Sequence, residues 1–130
     1  GSGAGFPGLI LALYNTNKYF HVKLYEKSPV KRAFLEQISN KLSINVQIYG
    51  NIYDEEIDSM YIVSRAFKKL ESTIQVSREI AKKPHKLIIL KGQNAQKDLK
   101  KTFKKEKYDY KLEKSITNEG SKIIIVDFKK

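Results

Sequence analysis

The sequence predicts an α/β fold with a mostly parallel sheet, and three observations support this. Short apolar or β-branched runs alternate with segments of helical periodicity along residues 7–105, which is typical of β-α-β units. The last two strand-like runs, residues 108–116 and 122–128, are joined by a short turn containing TNEG, which leaves no room for a crossover helix. They therefore predict a C-terminal antiparallel hairpin. The chain also opens on a glycine-rich turn, GSGAGFPG, of the kind that connects a strand to a helix.

The first part of the chain predicts two helices and two strands. Residues 7–14 predict a short helix with Pro7 at the first helical position, where its missing N–H is tolerated. Residues 20–25, FHVKLY, predict a strand. Ser28 is expected to cap the next helix, which begins at Pro29 and carries apolar residues at helical spacing, namely Val30, Phe34, Leu35, Ile38 and Leu42. Residues 45–49 predict a second short strand.

The second part of the chain continues the alternation. Residues 60–63 predict a strand, residues 67–82 a helix ended by Pro84, and KLIILK another strand. Residues 93–105 predict a lysine-rich helix, whose KKEK run is interpreted as a solvated helix end. The sequence contains no internal repeat and no linker, so the 130 residues are expected to form a single domain.

The charge balance favours a polyanionic partner. The chain has 25 Lys and Arg residues against 14 Asp and Glu residues, a formal net charge of +11. Such a surplus attracts nucleic-acid phosphates in a salt-dependent way. An alternative explanation stays open, because an AT-rich genome also enriches lysine on solvated faces.

Composition also excludes several kinds of site. The absence of cysteine excludes disulfides, thiolate zinc sites and a cysteine nucleophile, and we expect no metal. No apolar run reaches the roughly 18 residues of a membrane span. Residues 1–13 lack the basic flank of a secretory signal. We therefore expect a cytoplasmic protein that does not engage a membrane.

The glycine-rich turn has an acidic residue at the distance expected of a nucleotide site. Gly3, Gly5 and Gly8 fit the spacing G-x-G-x-x-G, which is a weak signal by itself. Glu26 follows the predicted strand FHVKLY and lies 21 positions after Gly5, where a carboxylate can accept hydrogen bonds from ribose hydroxyls. The alternative is a glycine turn that serves only a tight loop.

The choice of cofactor depends on the start of the first helix. A dinucleotide needs free N–H groups there for its pyrophosphate, and Phe6 and Pro7 crowd that position. This favours S-adenosylmethionine, which carries no phosphate, and the C-terminal hairpin is also typical of methyltransferase sheets. A nicotinamide-dependent oxidoreductase remains an alternative.

Four segments carry a family resemblance. GSGAGFPG, EKSPVKRAFLEQ, SRAF and LKG follow one another in the order and at about the spacing of the small-subunit ribosomal RNA methyltransferase G family, also called glucose-inhibited division protein B. The chain resembles this family over nearly its whole length. The resemblance implies a Rossmann-like class I methyltransferase fold. It also implies transfer of a methyl group from S-adenosylmethionine to N7 of a guanine in a hairpin loop of 16S ribosomal RNA.

The resemblance further implies which residues bind the cofactor. The methionine part would be lined by residues of the glycine turn, which are Gly1, Gly3, Gly5, Phe6 and Gly8. Glu26 would bind the ribose, with Lys27 and Ser28 beside it. The adenine would meet Asn51, Ile52 and Tyr53, where the family usually has an Arg-x-Glu-like stretch, so we expect backbone contacts there. Arg65 of SRAF is the predicted catalytic residue and also borders the cofactor.

RNA binding is predicted at the mouth of this pocket. Guanine N7 carries a lone pair and no proton, so the reaction needs no general base, and His21 and His85 are expected to be structural or surface residues. A guanine in a loop is the accessible target. The residues expected to contact the base or its flanking phosphates are Arg65, Phe67, Lys31, Arg32 and Lys91. Lys122 stands where the family often has an arginine, and it would act as a point charge.

The family has one strand directly before the first glycine and a helical region before that strand, and this sequence contains neither. We therefore expect an N-terminally truncated methyltransferase domain, shortened by design, by proteolysis or by a broken reading frame. The strands predicted at residues 20–25 and 60–63 would then each face a gap. The complete enzyme is expected to be a monomer that acts on 16S ribosomal RNA or an assembling small subunit. The main alternative is a non-catalytic basic RNA-binding or assembly module.

Overall fold

A computed structural model of the chain describes residues 5–65, 68–104 and 107–129. The chain divides into two compact units, residues 1–55 and residues 56–130. Each unit contains a sheet and an apolar core of its own. The expectation of a single domain stays a prediction. No helix in the described ranges is long and apolar enough to cross a membrane.

The first unit pairs two short strands in parallel. Its elements in chain order are α1 (Gly8–Tyr14), β1 (Lys23–Tyr25), α2 (Pro29–Lys41), β2 (Gln47–Tyr49) and a 3₁₀ turn (Ile52–Asp54). In the ladder, Lys23 lies opposite Gln47 and Tyr25 lies opposite Tyr49. The buried core of this unit consists of Leu9 from α1, Leu24 from β1 and Leu35 from α2. Helix α1 thus packs on the strands through Leu9, and α2 packs through Leu35 with Ile38 beside it.

Helix α2 begins where the sequence predicted. The Oγ of Ser28 accepts a hydrogen bond from the Lys31 N–H at 3.4 Å, and Pro29 occupies the first helical position. Of the predicted apolar face, Leu35 is fully buried and Ile38 packs beside it. Val30, Phe34 and Leu42 are exposed, so the apolar spacing overstated the buried face along the whole helix.

The second unit is a four-stranded mixed sheet with two helices. Its elements are β3 (Tyr61–Arg65), α3 (Leu70–Ile80), β4 (His85–Lys91), α4 (Ala95–Thr102), β5 (Asp109–Lys114) and β6 (Lys122–Phe128). The strand order is β3-β4-β6-β5, with β3 and β4 parallel and the other pairs antiparallel. The predicted C-terminal hairpin of β5 and β6 is confirmed. Asn118 shapes its turn by accepting the Gly120 N–H at 3.0 Å.

One face of this sheet carries the core of the unit. Alternate residues of β4 and β6, including Leu87, Ile89, Ile124 and Val126, pack with residues of α3 and α4. His85 belongs to the same face, and its ring lies 4.9 Å from the ring of Phe128. The ring nitrogens of His85 bond to the Ser77 hydroxyl and to the carbonyl of Lys83. The structural role predicted for His85 is confirmed.

Several predicted boundaries are wrong, each for a local reason. Helix α1 begins at Gly8, with Pro7 as its N-cap rather than its first residue. Strand β1 begins at Lys23 rather than at residue 20, because the Asn15 amide donates to the carbonyl of Phe20 at 3.0 Å and holds that segment in a loop. Helix α3 ends at Ile80, before Pro84, because Ala81 forms a parallel bridge with Ile57.

The strands β1 and β3 are each the end strand of their sheet, with a ladder on one side only. They are the two strands that the sequence expected to face a gap. The expected gap beside them stays a prediction.

Glycine at position 8 is required by the contact of α1 with β1. A Cβ atom built on Gly8 would overlap the Cδ2 atom of Leu24, which is buried. We expect Gly8→Ala to lower the free energy of unfolding by about 1–3 kcal/mol, since an overpacked core must shift. Gly92→Ala is the matched control, because a Cβ there would have no atom within 4 Å. Urea denaturation of both variants measures the difference, and equal stabilities would contradict this explanation of Gly8.

Candidate functional site

A buried carboxylate lies at the carboxyl end of β1. Glu26 follows the last residue of the strand, is 6% exposed, and donates its backbone N–H to the carbonyl of Tyr49 at 3.1 Å. Its Oε1 atom accepts a hydrogen bond from the Ser28 N–H at 3.1 Å. Ser28 is also the N-cap of α2. The carboxylate is therefore fixed between the end of β1 and the start of α2.

Arg32 holds the turn that carries Glu26. Its Nη1 atom donates to the carbonyls of Glu26 and Lys27, each at 2.8 Å. The same guanidinium lies 3.6 Å from the position of a Cβ atom on Gly50, the residue directly after β2. One side chain of α2 thus fixes the backbone after β1, beside the turn after β2. Lys31, the neighbouring cation of α2, is exposed.

The segment after β2 reaches the same edge of this sheet. Asn51 caps the 3₁₀ turn by accepting the N–H of Tyr53 at 3.2 Å, and Asp54 donates its N–H to the Asn51 carbonyl at 3.1 Å. The Asn51 side chain is thus engaged within the turn, and the Tyr53 ring is half-exposed. Since β1 and β2 are parallel neighbours, Glu26 and residues 51–53 come to one edge.

The described glycines of the first turn are explained by packing. Gly5 has φ +96°, and a Cβ atom on it would lie 2.7 Å from the Leu9 Cβ and 3.1 Å from the Leu35 Cδ2. With the contact of Gly8 described above, both residues let the start of α1 approach the core of the first unit. Where a Cβ atom would lie on Gly5 or Gly8, a leucine side chain is already present. Any ligand contact of these two residues therefore comes from their backbone. Gly1 and Gly3 lie outside the described residues.

Two tyrosines stack at the end of the β1–β2 ladder. The rings of Tyr25 and Tyr49 are 5.1 Å apart with an interplanar angle of 17°. Burial raises the pKa of the Tyr25 phenol above its ordinary value, and the nearby Tyr49 and Glu55 raise it further. Tyr25 therefore stays a neutral phenol at physiological pH.

In the second unit, three lysines lie in register at the carboxyl end of β4. Lys91, the last residue of β4, is directly opposite Lys122 of β6, which is directly opposite Lys114 of β5. Directly opposite residues point to the same face, and like charges so placed are destabilising. Lys91 is compensated by an ion pair with Asp98 of α4 at 2.9 Å. We call Lys91, Lys122 and Lys114 the lysine row.

Arg65 ends β3 at the same edge but on the opposite face. It is in register with Leu90, the residue before Lys91, so side-chain alternation places Arg65 on the other face of the sheet from the lysine row. Arg65 is exposed. The structure therefore brings the predicted residues Arg65, Lys91 and Lys122 to one edge without placing them on one face.

Comparison with known proteins identifies the family. A sequence model of the family described as rRNA small subunit methyltransferase G matches residues 1–124. The chain belongs to this family. It is 36% identical over 125 residues to ribosomal RNA small subunit methyltransferase G of Pelagibacter ubique, covering 93% of this chain and 59% of the relative. The corresponding protein of Rickettsia typhi is 34% identical over 128 residues, covering 98% and 65%. The chain thus spans about six-tenths of the length of these relatives.

Solved structures support the fold. An rRNA methylase from Streptococcus thermophilus matches all of this chain and 84% of its own chain with a TM-score of 0.62 at 13% sequence identity. TYW2 of M. jannaschii, solved in complex with AdoMet, matches 98% of this chain and 64% of its own with a TM-score of 0.62 at 19% identity. The predicted Rossmann-like class I methyltransferase fold is confirmed.

In this member of the methyltransferase G family, the structure gives the positions of some predicted site residues and not of others. Glu26, Lys27, Ser28 and residues 51–53 share one edge of the first sheet, as the resemblance implied. The ligand contacts themselves stay predictions, and Phe67 lies outside the described residues. Among the described residues, no group of three or more His, Asp or Glu side chains is arranged to hold a metal ion.

Two residues have positions or contacts that the sequence did not predict. Arg32 was predicted to contact a phosphate, whereas the structure shows it bonded to the backbone beside Glu26. The phosphate contact stays a prediction. Lys114 was not singled out at all, because its place in the lysine row depends on the register of the hairpin. For Arg32, the available signal was its position six residues after Glu26, since a side chain in the first turns of a helix can reach back to the preceding loop.

Arg32 should matter to stability more than its neighbour on the same helix. We expect Arg32→Ala to lower the free energy of unfolding by about 1–3 kcal/mol, because two charge-assisted hydrogen bonds are lost, a part-buried one to the Glu26 carbonyl and an exposed one to the Lys27 carbonyl. Lys31→Ala removes a cation from the adjacent exposed position and should change stability by less than about 0.5 kcal/mol. Urea denaturation compares the two variants. Equal and small effects would show that the Arg32 contacts do not hold this turn.

Proposed function

We propose that this chain forms the cofactor-binding part of a cytoplasmic enzyme that transfers a methyl group from S-adenosylmethionine to N7 of a guanine in a hairpin loop of 16S ribosomal RNA. Membership of the rRNA small subunit methyltransferase G family, over residues 1–124, is the observation that carries this proposal. The chain spans 59% and 65% of two named relatives, so the activity of the whole protein is inferred for it.

The residues at the end of β1 suit the ribose of this cofactor. A carboxylate accepts hydrogen bonds from vicinal hydroxyls, and Glu26 presents one at the carboxyl end of a parallel strand, where ligands of doubly wound folds bind. Ser28 and Arg32 fix its carboxylate and its backbone, so little reorganisation is needed on binding. Residues 51–53, beside Glu26, offer the adenine backbone groups and the Tyr53 ring. When bound, S-adenosylmethionine supplies the methyl group from its sulfonium.

Methyl transfer to N7 requires the protein to align the two reacting atoms, and it does not require the protein to transfer a proton. N7 of guanine has a free lone pair and loses no proton, so no general base is required. The two histidines fit this, since His85 is buried and bonded to Ser77, and His21 precedes β1 on the side away from Glu26. Holding the two reacting atoms in line supplies as much as about 7–11 kcal/mol in well-oriented systems.

Basic residues at the carboxyl edge of the second sheet suit the RNA. Lys122 and Lys114 carry like charges in register, a destabilising arrangement that a phosphate would relieve. Arg65 at the same edge provides a bidentate donor for a phosphate or a flat surface for a base. A guanine in a hairpin loop can be unstacked and presented to such an edge. Arg65 is the residue that we propose to act at the methyl-transfer step.

A non-catalytic RNA-binding module is the second candidate function. The net charge of +11 and the lysine row attract RNA whether or not a cofactor binds. Only the enzyme must bind a cofactor, so only the enzyme requires Glu26.

Methyl transfer is tested with the protein, tritiated S-adenosylmethionine and either free 16S ribosomal RNA or small ribosomal subunits. We expect label in one guanine, located by chemical cleavage at N7-methylguanosine. Label at another atom would contradict the N7 assignment. RNA binding without any label or cofactor binding would favour the non-catalytic module.

The role of Glu26 is tested by Glu26→Gln, which keeps the shape of the side chain and removes its charge. We expect the affinity for S-adenosylhomocysteine, measured by calorimetry, to fall about tenfold or more, because hydrogen bonds to a charged acceptor contribute about 1.5–3 kcal/mol. Glu36→Gln is the control, since this exposed glutamate of α2 loses the same charge in the same unit. Unchanged binding by the Glu26 variant would exclude it from the ribose site.

A further inference from the structure

Helix α4 and the residue after its C-cap carry a basic surface that the predicted site does not use. Ala95 and Leu99 are buried, and the opposite side of the helix is exposed and consists of Lys97, Lys100, Lys101 and Lys104. The spacing of Lys97, Lys100 and Lys101 places these three on one side of the helix, and Lys104 directly follows the C-cap Phe103. We call these four residues the lysine face. The sequence predicted a lysine-rich helix over residues 93–105 and interpreted the KKEK run near Lys104 as a solvated helix end.

Among the described residues, no carboxylate compensates the charges of the lysine face. Two described acidic residues near it in the chain bind other lysines, since Asp98 pairs with Lys91 at 2.9 Å and Asp109 pairs with Lys129 at 2.9 Å. Glu106 lies outside the described residues. Within the part of the chain that the structure describes, none of the four lysines has a carboxylate within 4 Å. Like charges three and four residues apart weaken a helix. A polyanion would remove this repulsion.

An aromatic ring lies beside the C-terminal end of the lysine face. Tyr110 of β5 is 50% exposed, and its ring centroid is 4.9 Å from that of Phe103, the C-cap of α4. Phe103 in turn packs edge-on against Tyr108 at 5.5 Å, and Tyr108 packs against buried Phe128 at 5.4 Å. Tyr110 is therefore the outer member of an aromatic series anchored in the core. Such a ring is positioned to stack on an unpaired base.

Helix α4 packs on the face of the sheet that carries the lysine row. Asp98 in the first turn of α4 pairs with Lys91, so the N-terminal end of the helix lies against the lysine row. Lys122, Lys114 and Tyr110 share one face of the sheet, because Tyr110 is opposite Val126 of the core and side chains alternate along a strand. From Lys97 to Lys101 the surface extends about 6 Å along the helix axis.

We propose that the lysine face and Tyr110 bind single-stranded RNA that flanks the target loop, with the lysines on phosphates and the tyrosine ring on a base. This inference rests on the proposed function in taking RNA as the substrate. Nucleic acid is favoured over an anionic membrane because the apolar side of α4 is buried in the core and leaves no apolar face to enter a bilayer.

The first test compares two quadruple variants that lose the same charge. In one, the four residues of the lysine face are changed to Gln. In the control, four lysines that are already in ion pairs with carboxylates at 2.7–3.2 Å are changed to Gln, namely Lys82, Lys83, Lys86 and Lys129. The probe is a fluorescently labelled 16S-derived RNA hairpin with single-stranded flanks, and its affinity for the full chain is measured by anisotropy over a series of salt concentrations.

We expect the lysine-face variant to bind more weakly and with a shallower salt dependence. Each lost phosphate contact changes the slope of log affinity against log salt by about 0.7 for single strands, so four contacts change it by about 2 to 3. The control variant should keep most of the slope of the unmodified chain. Equal changes in the two variants would overturn the inference, since net charge alone would then explain the binding.

The second test concerns the tyrosine. Tyr110→Ala should weaken binding of the same RNA about tenfold, and Tyr110→Phe should keep the affinity, because stacking needs only the ring. Urea denaturation shows whether the alanine variant is folded under the assay conditions. If folded Tyr110→Ala binds as the unmodified chain does, or if Phe behaves as Ala, stacking at this position is excluded.

Two further measurements separate this inference from the proposed function and from a membrane role. Loss of RNA affinity in the lysine-face variant supports the inference even if no methyl transfer is observed, whereas methylation with unchanged RNA affinity overturns it and leaves the proposed function standing. Vesicles of phosphatidylcholine and phosphatidylserine in a 3:1 ratio are the competing probe. Tighter binding to them than to the RNA, lost in the same variant, would assign the surface to lipid instead.

Discussion

The hydrogen bonds that hold the turn after β1 are the constraint on which the first unit depends. A carboxylate that is almost fully buried must be bonded, since an unpaired charge in such a place is strongly destabilising. The Ser28 N–H provides one partner for Glu26, while Arg32 binds the carbonyls of Glu26 and Lys27. Ser28 is also the N-cap of α2, and Arg32 lies in its first turns. The start of the helix and the position of the carboxylate therefore depend on the same residues. Glycine at positions 5 and 8 serves this arrangement by letting α1 lie close to Leu35 and Leu24.

The second unit separates its charges in a different way. Most of its described carboxylates are exposed and lie in ion pairs, for example Asp58 with Lys83 at 2.7 Å, and such surface pairs contribute little to stability. Two groups of lysines stand out beside these pairs, the lysine row and the lysine face. Sheet register creates the first group and helical periodicity creates the second. Part of the formal charge of +11 is thus concentrated on α4 and on one edge of the second sheet.

Sequence reasoning succeeded where the determining signal is local. The cap at Ser28, the hairpin and the distance from the glycine turn to Glu26 are all set within a few residues or by a fixed spacing, and the structure has each of them. It failed where side chains compete with the backbone, as Asn15 does before β1, or where a distant strand ends a helix, as Ile57 does at Ala81. Lys114 joins the lysine row only through pairing with Lys122, which no pattern along the chain specifies.

Cofactor binding and RNA binding depend on different features of the chain, so the two assignments can be tested separately. Binding a small ribose depends on one buried acceptor in a fixed position, so a single substitution at Glu26 should weaken it about tenfold or more. Binding a phosphate chain needs several exposed cations whose contributions are similar and individually small, so no single lysine decides it. A chain that lost its cofactor site would therefore keep its RNA surface. This asymmetry makes the non-catalytic module a coherent alternative, and it makes cofactor affinity, rather than RNA affinity, the property that distinguishes an enzyme from a derivative of one.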